Sequence, residues 1–185
     1  MPITTLDPAT ALIIVDLQAG IVGLPTVHPA ADVIRNAAAL AQAFRQQRRP
    51  VVLVNVTATA PGRTDHTRPP IPRPAGWDAF IPELQQAPTD HVVTKRSWGA
   101  FMHTDLHAYL QAAGVTQVVI AGISTSAGVE STARQAYELG YNVTLAIDAM
   151  TDMNPDTHTN SLTRIFPRLG ETGTTADILA HLKPI

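Results

Sequence analysis

The stretch Val118-Val119-Ile120-Ala121-Gly122-Ile123-Ser124-Thr125-Ser126-Ala127-Gly128-Val129-Glu130-Ser131-Thr132-Ala133 decides the fold. It opens as an apolar run of strand character and passes through small residues. It then becomes helical: Val129, Thr132, Ala133 and Ala136 recur at helix spacing. A strand that ends in small residues and feeds a helix is how open α/β sheets build their sites. The ligand crevice lies at the carboxyl ends of the strands, and the N–H groups of the new helix point into it.

The same alternation runs outward in both directions. Upstream, Ala11 to Val15 is apolar on both faces, as a central parallel strand requires, and it ends at Asp16. Residues 28–48 carry an amphipathic helix pattern that Pro50 stops. Val51 to Val56 is a second buried strand, and His91 to Lys95 is a third that ends in a lysine. Leu106, Tyr109 and Leu110 mark a helix ending at Gly114. Downstream, residues 127–139 are helical and Asn142 to Asp148 is a strand. Pro155 opens a helix through Arg164, with Asp152 or Asn154 as its cap. A weak strand at Glu171–Thr174 and a helix from Ala176 to Leu182 follow. The expected class is α/β: one domain over residues 1–185, doubly wound, a three-layer sandwich around a mostly parallel sheet of about six strands.

Residues 58–90 break this rhythm. Seven prolines, from Pro61 to Pro88, and Gly62 and Gly76 make helix or strand a poor expectation, apart from one short helix at Asp78–Leu84. A loop of this length is expected to be a lid, a binding loop or an interface arm. Trp77 within it reads as interface material.

Composition narrows the function. With 45% hydrophobic and 15% charged residues, the chain is expected to fold throughout. A net charge of −2 offers no basic field for nucleic acid. No apolar run reaches the ~20 residues that span a bilayer, and no leader pattern is read at the N-terminus, so a cytoplasmic protein is expected. The chain has no cysteine, which excludes disulfides, thiolate metal sites and a thiol nucleophile.

Asp16, Lys95 and the Gly122–Gly128 turn all stand at carboxyl ends of expected strands, on one sheet edge. Lys95 beside Asp16 would lower the carboxyl pKa and burial would raise it, and the sequence leaves that sign open. A sheet-closing ion pair is the plain alternative. Asp148 reads as a cap or structural partner.

Val15-Asp16-Leu17-Gln18 resembles the opening Asp-x-Gln motif of the isochorismatase-like hydrolases, also called cysteine hydrolases. Thr94-Lys95-Arg96-Ser97-Trp98-Gly99-Ala100-Phe101 is similar to that family's lysine strand, and the Gly122–Ala133 stretch to its nucleophile turn. The resemblance implies the same α/β/α fold, a small-molecule substrate, and a homodimer or homotetramer. In amidohydrolase members a cysteine stands at the position of Gly128, so this chain cannot run that thiol mechanism. Ser124, Thr125, Ser126 and Ser131 lie nearby, without a histidine in the segment to activate them. Members acting on isochorismate also lack the cysteine. Resemblance to them implies Asp16 as general acid and Lys95 as the partner of a substrate carboxylate. Gln18 and Trp98 would line the pocket, and the glycine would leave room where a thiol would have stood.

The resemblance also implies an anion-binding turn built from the N–H groups of Ser124 and Gly128, with a cis Ile123–Ser124 peptide and Thr125 beside it. The leading expectation is acid-assisted hydrolysis of an enolpyruvyl ether. The alternatives are a degenerate member that binds a metabolite or serves in an assembly, and an amidohydrolase relative that lost its cysteine. No metal site and no cofactor are expected. Asp65-His66 in the loop reads as solvated, and Arg63, Arg68 and Arg73 as candidates for a carboxylate or a subunit arm. The other histidines, His28 and His158 among them, read as surface or helix-end residues.

Overall fold

The chain enters its sheet at the centre and fills it outward, first to one side and then to the other. A computed structural model of the protein describes residues 2–65 and 73–182, so His66, Arg68 and three of the loop prolines lie outside the described residues. The strands are β1 (Thr10–Val15), β2 (Val51–Val56), β3 (His91–Lys95), β4 (Gln117–Ile123), β5 (Asn142–Thr151) and β6 (Glu171–Gly173). They form one six-stranded sheet in the order β3-β2-β1-β4-β5-β6. Every strand pairing is parallel. The order reverses between β1 and β4. That switch point is where a doubly wound sheet opens a crevice at its carboxyl edge.

The helices are α1 (Ala19–Val22), α2 (Ala30–Gln46), α3 (Leu106–Ala112), α4 (Glu130–Glu138), α5 (Pro155–Asn160) and α6 (Thr175–His181). Side chains along β1 alternate between two cores. Ala11, Ile13 and Val15 meet Leu106 and Leu110 of α3 and Ala133 and Ala136 of α4. Leu12 and Ile14 meet Val33, Leu40 and Phe44 of α2 and Ile178 of α6. Both faces are covered, so β1 is buried along its whole length, and each large side chain so buried contributes roughly 1.5–3 kcal/mol. Among the described residues, no helix is long and apolar enough to cross a membrane.

Four expected elements differ. The helix expected over 127–139 starts two residues earlier as a π turn, Thr125–Val129, closed by the Val129 N–H donating to Ser124 O at 3.1 Å, and only then becomes α4. β5 runs on to Thr151 through a register shift against β4, and within the shifted stretch Asp148 accepts from Thr175 N and Oγ1 at 2.7 and 2.8 Å. Asp148 is thus the structural partner expected. The helix expected to reach Arg164 stops at Asn160 and continues as a second π turn, Ser161–Ile165. Its cap is Asn154, which accepts from Asp156 N and Thr157 N. In the proline-rich loop, the short helix shrinks to a 3-10 turn at Pro82–Leu84.

Candidate active site

β1 ends at Val15, and the next residue reverses the chain. Asp16 has φ +54°, a left-handed conformation that Asp tolerates better than most residues. Its N–H donates to Val54 O of β2 at 2.8 Å. Lys95 ends β3, two places from β1 in the sheet. Strands spaced about 4.8 Å apart put β1 and β3 roughly 10 Å from one another, within the joint reach of a lysine and an aspartate. Lys95 Nζ donates to Asp16 Oδ2 at 2.7 Å and to Ser97 O at 3.1 Å. Both side chains are buried, at 2% and 7% exposure. The first and third strands therefore meet across the second.

The two carboxylate oxygens are not equivalent. Oδ2 holds the ammonium, while Oδ1 is buried without a hydrogen-bond partner. Burial pushes the Asp16 pKa up to about 6, against the pull of Lys95, which lowers it. The question of sign is settled in favour of desolvation. A proton near neutral pH belongs on Oδ1, because Oδ2 is the oxygen already held by the cation.

β4 brings up the other wall. Gly122 pairs with Val15 across the β1–β4 seam at φ +123°, and a Cβ there would fall 2.0 Å from Val15 O. Only glycine permits that approach. The Ile123–Ser124 peptide that follows is cis. Gly128 is buried in the π turn above Asp16. A Cβ on Gly128 would lie 3.3 Å from Asp16 Oδ2 but only 2.9 Å from Val15 Cγ1. The room expected at Gly128, where a thiol would have stood, is bordered by a methyl of Val15.

The comparisons with known proteins fit this geometry. The isochorismatase domain family matches residues 10–177. The chain belongs to the isochorismatase family of hydrolases. Among its relatives, the uncharacterized isochorismatase family protein YwoC of Bacillus subtilis is 39% identical over 94% of both chains. Streptothricin hydrolase of Streptomyces noursei is 38% identical over 75% of this chain, which spans about half of that protein, 48%. An isochorismatase family protein from Burkholderia thailandensis superposes with a TM-score of 0.93, at 44% identity over 96% of this chain and 97% of that one.

In this isochorismatase-family chain the remaining expected site residues divide. Gln18 is fully buried, and its amide is taken up by backbone. It accepts from Val56 N at 2.7 Å and donates to Val56 O and Trp77 O at 3.1 and 3.3 Å. It ties the Asp16 turn to β2 and to the proline-rich loop rather than presenting its amide to a pocket. Trp98, three residues past Lys95, is 52% exposed. Trp77, read as interface material, is half-buried on Gly20, where a Cβ would fall 2.0 Å from its Nε1. Arg73 stands over that indole at 5.1 Å and donates to Thr57 O, so it serves the loop itself.

Ser124 is 8% exposed and Thr125 not at all. Thr125 Oγ1 lies 2.9 Å from His158 Nδ1 on α5. His158, expected as a surface or helix-end residue, stands in the last turn of α5 but off the surface. It is buried, with the His28 ring 4.8 Å away. Asp152, a candidate cap for α5, instead accepts from Ser126 N at 2.7 Å and so holds the π turn. No spacing rule links residues so far apart in sequence, and nothing in the sequence announced these contacts.

A cavity of about 420 Å³ opens at the opposite, amino edge of the sheet, lined among others by Asp7, Gln117, Asn142 and Glu171. Its carboxylates are already engaged: Glu171 by Thr4, Asp7 by Thr116 and Asn142. Among the described residues, no three His, Asp or Glu side chains gather as a metal site would require.

Proposed function

We propose that this hydrolase cleaves a small enolpyruvyl ether without a covalent intermediate, Gly128 standing where cysteine members carry their nucleophile. The observation that carries the reading is Asp16 Oδ1, a buried and unpartnered carboxyl oxygen on a group whose pKa stands at about 6. Protonating carbon is slow, and an acid poised near the working pH serves it best. Asp16 gives its Oδ1 proton to the terminal methylene carbon of the enol ether. The vinyl π electrons form the new C–H bond, and the ether oxygen stabilises the oxocarbenium centre left behind. Water adds to that centre and returns a proton to Asp16. The resulting hemiketal breaks its carbon–oxygen bond to the alcohol, the hydroxyl proton passes to the leaving oxygen, and pyruvate departs.

Lys95 has three N–H donors. Two go to Asp16 and Ser97, and the third serves the substrate carboxylate. Trp98 supplies an apolar rim.

The test is pyruvate release from isochorismate, followed with lactate dehydrogenase. Wild-type protein releases pyruvate, and Asp16→Asn loses at least about 100-fold in kcat, the usual weight of a general acid. Absence of turnover on enol ethers, with tight binding of a small carboxylate retained, would replace this reading by that of a metabolite-binding protein.

A further inference from the structure

Residues 152–161 bond at three points to the first π turn and to Glu130, the first residue of α4. Asp152 accepts from Ser126 N at 2.7 Å, His158 Nδ1 meets Thr125 Oγ1 at 2.9 Å, and Ser161 Oγ donates to Glu130 Oε2 at 2.6 Å. The middle contact differs from the other two because both partners are buried: Thr125 is fully enclosed and His158 is 7% exposed. Thr125 lies one residue past the cis peptide and three before Gly128, and Gly128 lies above Asp16. A shift of Thr125 therefore moves the backbone that stands against Asp16.

We propose that His158 is a positioning residue: through Thr125 Oγ1 it sets the backbone of residues 124–128 against the carboxyl group of Asp16. Burial and the neighbouring His28 lower the His158 pKa, while Asp152 opposes them. The ring is thus neutral at pH 7 and free to share a hydrogen with the hydroxyl. A second anchor backs it, since His28 Nδ1 lies 3.1 Å from Thr151 Oγ1 at the end of β5.

The kinetic arm of the test rests on the reaction proposed above, and the exchange arm does not. Hydrogen exchange of the amides at 124–129 is followed in wild type, Thr125→Val, His158→Ala and the double variant. Thr125→Ser and His158→Asn keep a polar group in place. The expectation for Thr125→Val and His158→Ala is faster exchange in that segment by about five- to tenfold, the weight of one hydrogen bond. The double variant goes no further, and the two conservative variants stay within about threefold of wild type. With isochorismate, kcat falls by a similar factor while KM holds. Unchanged exchange in both single variants overturns the proposal, as does additivity in the double variant or a His158→Asn as loose as His158→Ala. If wild type releases no pyruvate, the proposed reaction fails, and the exchange pattern still decides the role of His158.

Discussion

Gly128→Ala probes the space above Asp16. The added methyl would stand 2.9 Å from Val15 Cγ1, whereas carbon atoms in ordinary contact are about 3.5–4.0 Å apart. Val15 is fully buried between β2 and β4 and is β-branched, so it has little freedom to turn aside. Overpacking of this kind costs about 1–3 kcal/mol. Alanine's better helical propensity offsets roughly 0.5–1 kcal/mol of that. The net expectation is a loss of about 1–2 kcal/mol, or roughly 2–8 °C in Tm for a chain of this size. The assay is urea unfolding at pH 7, followed by circular dichroism. The same substitution is then made in a Val15→Ala background, where the offending methyl is gone. There Gly128→Ala becomes neutral or stabilising, giving a coupling of about 1–3 kcal/mol between the two positions. An equal penalty in both backgrounds, or a gain in wild type, would refute the reasoning.

Other consequences follow from the same geometry. Because burial raises the Asp16 pKa from an ordinary 3.8 to about 6, the folded chain holds a proton between those values that the unfolded chain releases. The contribution of this group is therefore most favourable below about pH 4 and falls as pH rises through 6, by about 3 kcal/mol in all. Asp16→Asn removes that slope, which urea midpoints from pH 4 to 7 for the two proteins would register as a difference curve. The same protonation makes kcat/KM on an enol ether decline above about pH 6, approaching tenfold per unit, and a rate that rises from pH 6 to 8 contradicts an acid role. Asn154→Ala removes a helix cap and is expected to cost about 1 kcal/mol by urea denaturation without altering turnover. Gln18→Ala cuts three backbone ties and is expected to raise proteolytic cleavage near Trp77 before the rest of the chain yields.

Much of the fold was legible because its signals are local. β1, β2 and β4 are continuous apolar runs, and burial on both faces leaves no other reading for them. Asp16 and Lys95 were placed together by topology alone, since parallel strands bring their carboxyl ends to one edge. What escaped the sequence depends on side chains meeting at long range. The register shift in β5 coincides with a bond from Asp148 to Thr175, 27 positions away. The room at Gly128 depends on which way Val15 points. The Thr125–His158 contact joins two residues of unremarkable pattern. The direction of the Asp16 pKa was open for the same reason, because burial and Lys95 act against each other and only the packed structure ranks them.

The most direct measurement is the fate of the oxygen when isochorismate is hydrolysed in ¹⁸O-labelled water. If Asp16 protonates carbon and water adds to the oxocarbenium centre, the label enters pyruvate and the ring keeps its own oxygen. Label in the diol product in place of pyruvate would mean that water attacked the ring, and the acid proposed for Asp16 Oδ1 would have no carbon to protonate.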